Sequence, residues 1–157
     1  MSRIAKALRR DERGTGTIEL ALSAPILAFL LVGAVDMGMG YTERLALQQA
    51  ANRTLELGMA RGPVNDSYSY LQAIGATNSG RPTSAVTIDN WLECDGARQS
   101  VFSGTCGASQ QTARYISVRI TGTHQPSFNY NGLARRFGET NLGGSVAIAG
   151  AATVRIQ

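Results

Sequence analysis

Residues 20–35 read LALSAPILAFLLVGAV, sixteen consecutive positions without a charge, and no other feature of the chain narrows its fold so far. As a helix this run is about 24 Å long at ~1.5 Å per residue, slightly short of the ~30 Å hydrocarbon core of a bilayer. Thr17 and Ile18 on one side and residues 37–39 on the other supply the difference. Glu19 and Asp36 then fall near opposite interfaces, where a charge costs far less than at the centre. The sequence therefore predicts one membrane-crossing helix.

Charge sets its direction. The chain has 15 Lys and Arg against 11 Asp and Glu. Residues 1–14 hold five of those bases (Arg3, Lys6, Arg9, Arg10 and Arg13) and two of the acids, a local net charge of +3. Residues 15–157 are close to neutral at +1. The positive-inside rule keeps such a terminus in the cytoplasm and carries the remainder across. A nucleic-acid surface needs clustered cations with interleaved aromatics. After residue 14 the only tandem basic pair is Arg135 and Arg136, so nucleic acid is not an expected partner.

The helical pattern continues past the apolar run. Leu47, Ala50, Ala51, Thr54, Leu55 and Gly58 recur at three- and four-residue spacing, with most charges elsewhere. No proline follows Pro25 until Pro63, where Gly62-Pro63 is a stop signal. One helix of about 45 residues, roughly 65–70 Å, is expected. Pro25 lies inside it and removes a backbone hydrogen bond, predicting a kink or local loosening. The small residues Ala50, Ala51 and Gly58 prepare one side for close approach by a sheet or helix.

Beyond residue 62 the chain is rich in Gly, Ser, Thr and Asn, which favours short strands and turns. Ser67 is a candidate cap for a short helix through Leu71 and Ile74, and 86–88 a candidate short strand. Residues 115–122, YISVRITG, place Ile116, Val118 and Ile120 on one face. They can pair antiparallel with 145–156 around a loop, 123–144, that carries Phe128, Tyr130, Leu133 and Phe137. The expected class is α+β: a long transmembrane helix continuing into an amphipathic helix packed on a small antiparallel sheet. The boundaries are a basic leader at 1–14, a transmembrane helix at 15–40, its extension at 41–62 and one head at 63–157.

Cys94 and Cys106 sit in a turn-rich segment, ECDGARQSVFSGTC. They lack the close pairing of a zinc site, and the single histidine, His124, is 18 residues further on. A disulfide is the preferred reading, two unrelated buried thiols the alternative. A disulfide needs an oxidising compartment, which agrees with a head outside the cytosol, and a loop of this size is stabilised by roughly 3 kcal/mol.

Signs of catalysis are sparse. Lys6 is the only lysine, no phosphate-cradling Gly-x-x-x-x-Gly-Lys is present, and Gly14-Thr15-Gly16 precedes an apolar span instead of following a strand. His124 leaves one candidate base, read as exposed or hydrogen-bonded. Asp89, Glu93 and Asp95 lack the alternating oxygen ligands of a calcium loop and read as a solvated turn. No metal, cofactor or enzymatic activity is expected.

The junction GTGTIELALSAP carries more information. It resembles the signal of type IV pilin precursors, in which a short basic leader ends at a glycine and a glutamate stands fifth after the cut. Those roles fall here on Arg9, Arg10 and Arg13, on Gly14, and on Glu19. The resemblance implies cleavage between Gly14 and Thr15 by a prepilin peptidase, for which glycine offers a side-chain-free approach. It also implies that Glu19 neutralises the amine of a neighbouring subunit inside an apolar filament core, where unpaired charges are costly.

A narrower resemblance is to the TadE/TadG-like pseudopilins of tight-adherence systems. It is carried by Arg13-Gly14, then Thr17-Ile18-Glu19-Leu20-Ala21-Leu22, then Pro25, then Val35-Asp36-Met37-Gly38. The strand–loop–strand order of the C-terminal part is similar as well, whereas Leu20 stands where the family often has Phe or Tyr, and 63–113 resembles nothing further. The resemblance implies a minor pilin of the bacterial inner membrane with a periplasmic head. Its partners would be the peptidase, other pilin subunits and the pilus assembly machinery, in adhesion or secretion. Two other readings fit the residues: an uncleaved single-pass anchor or scaffold, and an exported soluble binding domain cut near Ala34, after Val32-Gly33-Ala34.

Overall fold

The computed structural model describes residues 15–128, 130–138 and 144–157. Gly14, the residue before the expected cut, lies outside them. The chain divides between Gly38 and Met39 into two compact units.

Helix α1 runs over Thr15–Arg61, 47 residues, with Pro25 inside it. In the first unit its large apolar side chains, among them Leu22, Ile26, Leu30 and Leu31, are exposed. In the second unit the expected stripe is buried at every position: Leu47, Ala50, Ala51, Thr54, Leu55 and Gly58. The helix stops where the sequence signals it. Gly62 takes φ 77° and its N–H bonds the Gly58 carbonyl at 2.9 Å, a left-handed ending that glycine adopts without steric cost. The Tyr70 hydroxyl donates to the Gly62 carbonyl at 2.8 Å, and the Arg61 guanidinium lies 4.7 Å from the centre of the same ring.

The next turn corrects one expectation. Val64 and Ser67 bridge across Asn65 and Asp66, both at positive φ. Helix α2, Leu71–Ser79, begins after Tyr70 with no side-chain cap. Ser67 Oγ instead accepts from the Ser69 N–H at 3.1 Å. The first donors of α2 are met by a tight turn, with Leu71 N–H bonding Tyr68 O and Gln72 N–H bonding Ser69 O, so no cap is required.

Four antiparallel strands follow, in the order β2-β1-β3-β4: β1 Val86–Cys94, β2 Ala97–Arg98, β3 Thr112–His124 and β4 Val146–Arg155. Strand β1 is nine residues long, not the three of 86–88. Val86, Leu92 and Cys94 are buried, but Asn90 occupies a core-side position between them, and that polar residue hid the alternation. Strand β3 is central. Its Ile116, Val118 and Ile120 are fully buried, and it pairs with β4 through Val118↔Ala152 and Ile120↔Gly150, as the sequence predicted. The expected loop between them holds a short helix, α3 Tyr130–Ala134, and a 3-10 turn over Arg135–Phe137.

One face of the sheet and the stripe of α1 form the core, with Tyr68, Leu71 and Val86 joining it. Contact is closest at Gly150, where a Cβ would collide with the backbone of Leu47 and Gln48. The opposite face carries a stacked Trp91–Tyr115 pair with centroids 5.2 Å apart. Arg98 lies 4.6 Å from the Trp91 ring centre and bonds both Asp89 carboxylate oxygens at 2.9 Å.

Candidate functional site

The long helix is the natural candidate, because its first part is apolar around its whole circumference. A soluble surface helix keeps a polar face toward water. Here the apolar window is unburied, and the helix is long and apolar enough to cross a membrane, by length and composition. Thr15 is its first described residue. Glu19, the residue assigned to amine pairing, is exposed, whereas Asp36 is buried. Pro25 cannot donate to the Ala21 carbonyl, and helical structure continues on both sides of it. These positions lie in order along one helix; they do not converge on a pocket.

Within the head, Cys94 and Cys106 are disulfide-bonded with Cα atoms 5.5 Å apart. The bond ties the 95–105 segment to the end of β1, whose next residues, Asp95 and Gly96, turn the chain at positive φ. The acids near Cys94 are individually engaged. Asp89 pairs with Arg98, Glu93 accepts from Trp91 Nε1 at 2.7 Å, and Asp95 accepts from the Gln111 N–H at 2.8 Å. Among the described residues no group of three or more His, Cys, Asp or Glu is placed to hold a metal ion.

His124 is buried at the end of β3. Its Nδ1 is 3.4 Å from Glu43 Oε2, and Arg81 Nη2 is 3.9 Å from the same oxygen. Gly40 makes room for the ring, since a Cβ there would stand 3.0 Å from His124 Cδ2. This grouping joins α1, β3 and the segment before β1, and no local sequence signal connects its members. Gln48 was equally hidden. Its side-chain amide donates to Ala151 O and accepts from Ala151 N–H at 3.0 Å, so it occupies part of the open edge of β4 as a strand would.

Burial raises the Tyr68 phenol above its ordinary range, with a smaller contribution from the neighbouring Tyr70.

A family model described as TadE-like protein matches residues 14–55. That region contains the whole apolar stretch and continues to Leu55, across most of the buried stripe, but ends before the sheet begins. No curated protein and no solved structure matches the chain at a significant level. The match lies along the helix and leaves the head, residues 63–157, outside it.

Proposed function

We propose that the chain is a minor pilin or pseudopilin, cut by a prepilin peptidase between Gly14 and Thr15, that takes part in assembling a tight-adherence pilus for adhesion or secretion. The observation that carries this reading is the TadE-like match spread along one continuous helix whose N-terminal part exposes its apolar side chains. Removal of a leader at Gly14 leaves that helix attached to the head, unlike ordinary signal-peptide cleavage. The apolar surface first resides in lipid and then packs against the helices of other subunits, with Glu19 neutralising a neighbour's N-terminal amine. The disulfide-tied head faces outward from the inner membrane into the periplasm. The role is one of packing and anchoring and involves no catalysis.

The test is the N-terminal sequence of the membrane-extracted protein, with and without the peptidase. A start at Thr15 that depends on the peptidase is expected. A retained Met1 on the functional form would mean a plain anchor, and a start at Val35 a released soluble domain; either would overturn the filament mechanism.

A further inference from the structure

The outer edge of β1 is closed at both ends and open between them. Strand β3 lies on one side of β1, and on the other only the two residues of β2, which pair with Glu93 and Cys94. The Leu92 carbonyl accepts from the Gln99 N–H at 2.8 Å, so Leu92 turns its backbone groups to this edge. Backbone groups alternate in direction along an antiparallel strand, and Asn90, Ile88 and Val86 therefore face the same way. The far end has the same parity: the Val86 carbonyl accepts from Gln72 Nε2 on α2 at 3.0 Å. Ile88 and Asn90 lie opposite Val118 and Ile116 of β3 as pairs that exchange no hydrogen bonds. Between the two stops their N–H and C=O groups have no partner among the described residues.

A cavity of about 270 Å³ lies along the Val86 end of this window. Its walls are the hydroxyl side chains of Ser69, Ser84 and Thr87, the Gln72 amide, and the branched apolar Val86 and Ile88, with no charged group. On the opposite face of the strand Asp89 and Arg98 neutralise each other, both carboxylate oxygens lying 2.9 Å from the guanidinium. The window thus presents no unbalanced charge, only alternating N–H and C=O dipoles at a repeat of ~7 Å. An extended backbone carries the complementary dipoles at the same repeat. A second copy of β1 does not fit. Pairing Ile88 with Asn90 about a two-fold axis brings Val86 opposite Leu92, and β2 of each copy then needs the space held by residues 84–85 of the other. The occupant that fits is a lone strand.

We propose that this window binds an extended, uncharged segment of a partner protein by strand addition to β1. The Ile88 and Asn90 backbone holds the segment, and one of its side chains enters the cavity beside Gln72. The window lies wholly within the head and does not depend on processing of the helix.

The test uses the full chain in detergent and a pentapeptide of alternating threonine and valine, acetylated and amidated so that it carries no charge. Amide hydrogen exchange is read residue by residue. In the free chain Ile88 and Asn90 should exchange quickly, and Thr87, Asp89 and Trp91, bonded to β3, slowly. Peptide at ten times its dissociation constant should slow Ile88 and Asn90 about ten-fold and leave the β4 edge unaffected. The same peptide N-methylated at every residue loses its donors and should bind at least about five-fold more weakly. Asn90→Pro removes a donor from the window without touching a bond to β3, as an edge position allows, and should weaken binding by roughly five-fold. If that variant does not fold, the methylated peptide still decides the matter. Unchanged exchange at millimolar peptide, equal binding of the methylated peptide, or slowing at β4 in place of β1 would overturn the proposal. Slowing that follows protein concentration with no peptide present would overturn it in favour of self-association.

Discussion

Residues 15–38 and 39–61 are two parts of one helix, and they differ in what their side chains meet. The first part displays leucine, isoleucine and valine around its surface. The second buries a stripe of small and apolar residues against a sheet and turns its charges outward, except Glu43, which faces His124 and Arg81. Both parts are helical, apart from the donor missing at Pro25, so helix formation by itself says little about either environment. The first part holds the apolar window that makes the helix long and apolar enough, by length and composition, to cross a membrane. In the second the stability comes from burial against the head. Pro25 stands in the part without a packed face; the close contact with Gly150 stands in the other.

The comparison is broken most severely by closing the space between α1 and β4. Gly150→Val should destabilise the head by about 3 kcal/mol or more, because the added atoms meet the Leu47 and Gln48 backbone, which cannot rotate away. Denaturant unfolding of the detergent-solubilised full chain, followed by the Trp91 signal, measures this. Membrane retention of the same variant should be unchanged.

A matched pair sharpens it. Leu55→Ala is expected to cost roughly 2–5 kcal/mol of head stability, the usual range for a leucine removed from a core, since Leu55 is buried in the main cluster. Leu30→Ala removes the same atoms from an exposed position and should leave the unfolding midpoint of the head unmoved. Equal losses in the same titration would mean that the first part of the helix also supports the head.

Gln48→Ala should cost about 1 kcal/mol, the net worth of a typical hydrogen-bonding group, by uncovering the Ala151 N–H and C=O at the β4 edge. Hydrogen exchange at Ala151 should quicken, while exchange in β1 should not.

The smallest effect concerns pH. The Tyr68 phenol is raised in the folded head, while an unfolded tyrosine titrates near pH ~10. The stability linked to this group is therefore fully present below pH ~10 and is lost as pH rises from there through the folded value. Tyr68→Phe should flatten that alkaline decline while leaving the slope below it unchanged, as read from unfolding midpoints across pH.

Much of the architecture is legible in the sequence. The stripe from Leu47 to Gly58, the Gly62-Pro63 stop, the Ile116, Val118 and Ile120 face and the pairing of β3 with β4 all follow from periodicity and turn chemistry. Strand β1 was underestimated because Asn90 interrupts its apolar alternation, and Ser67 was misassigned because a turn satisfies the start of α2. Of the candidate site, the apolar span, Pro25 within the helix and the pairing of Cys94 with Cys106 could be read directly. The engagement of His124 with Glu43 and of Gln48 with Ala151 could not, since 81 and 103 residues of chain separate those partners.

What the sequence determined by itself is local: an uncharged run long enough for a bilayer, a helix that continues beyond it, where that helix stops, and strands whose alternation gives each one apolar face. Those properties depend on residues a few positions apart, which hydrophobic period and backbone sterics govern. Only the tertiary structure decided that Gly150 is the point of closest approach to the helix, that a glutamine covers part of the sheet edge, and that His124 meets Glu43. Each of these depends on the register between elements distant in the chain, which packing of the whole core establishes.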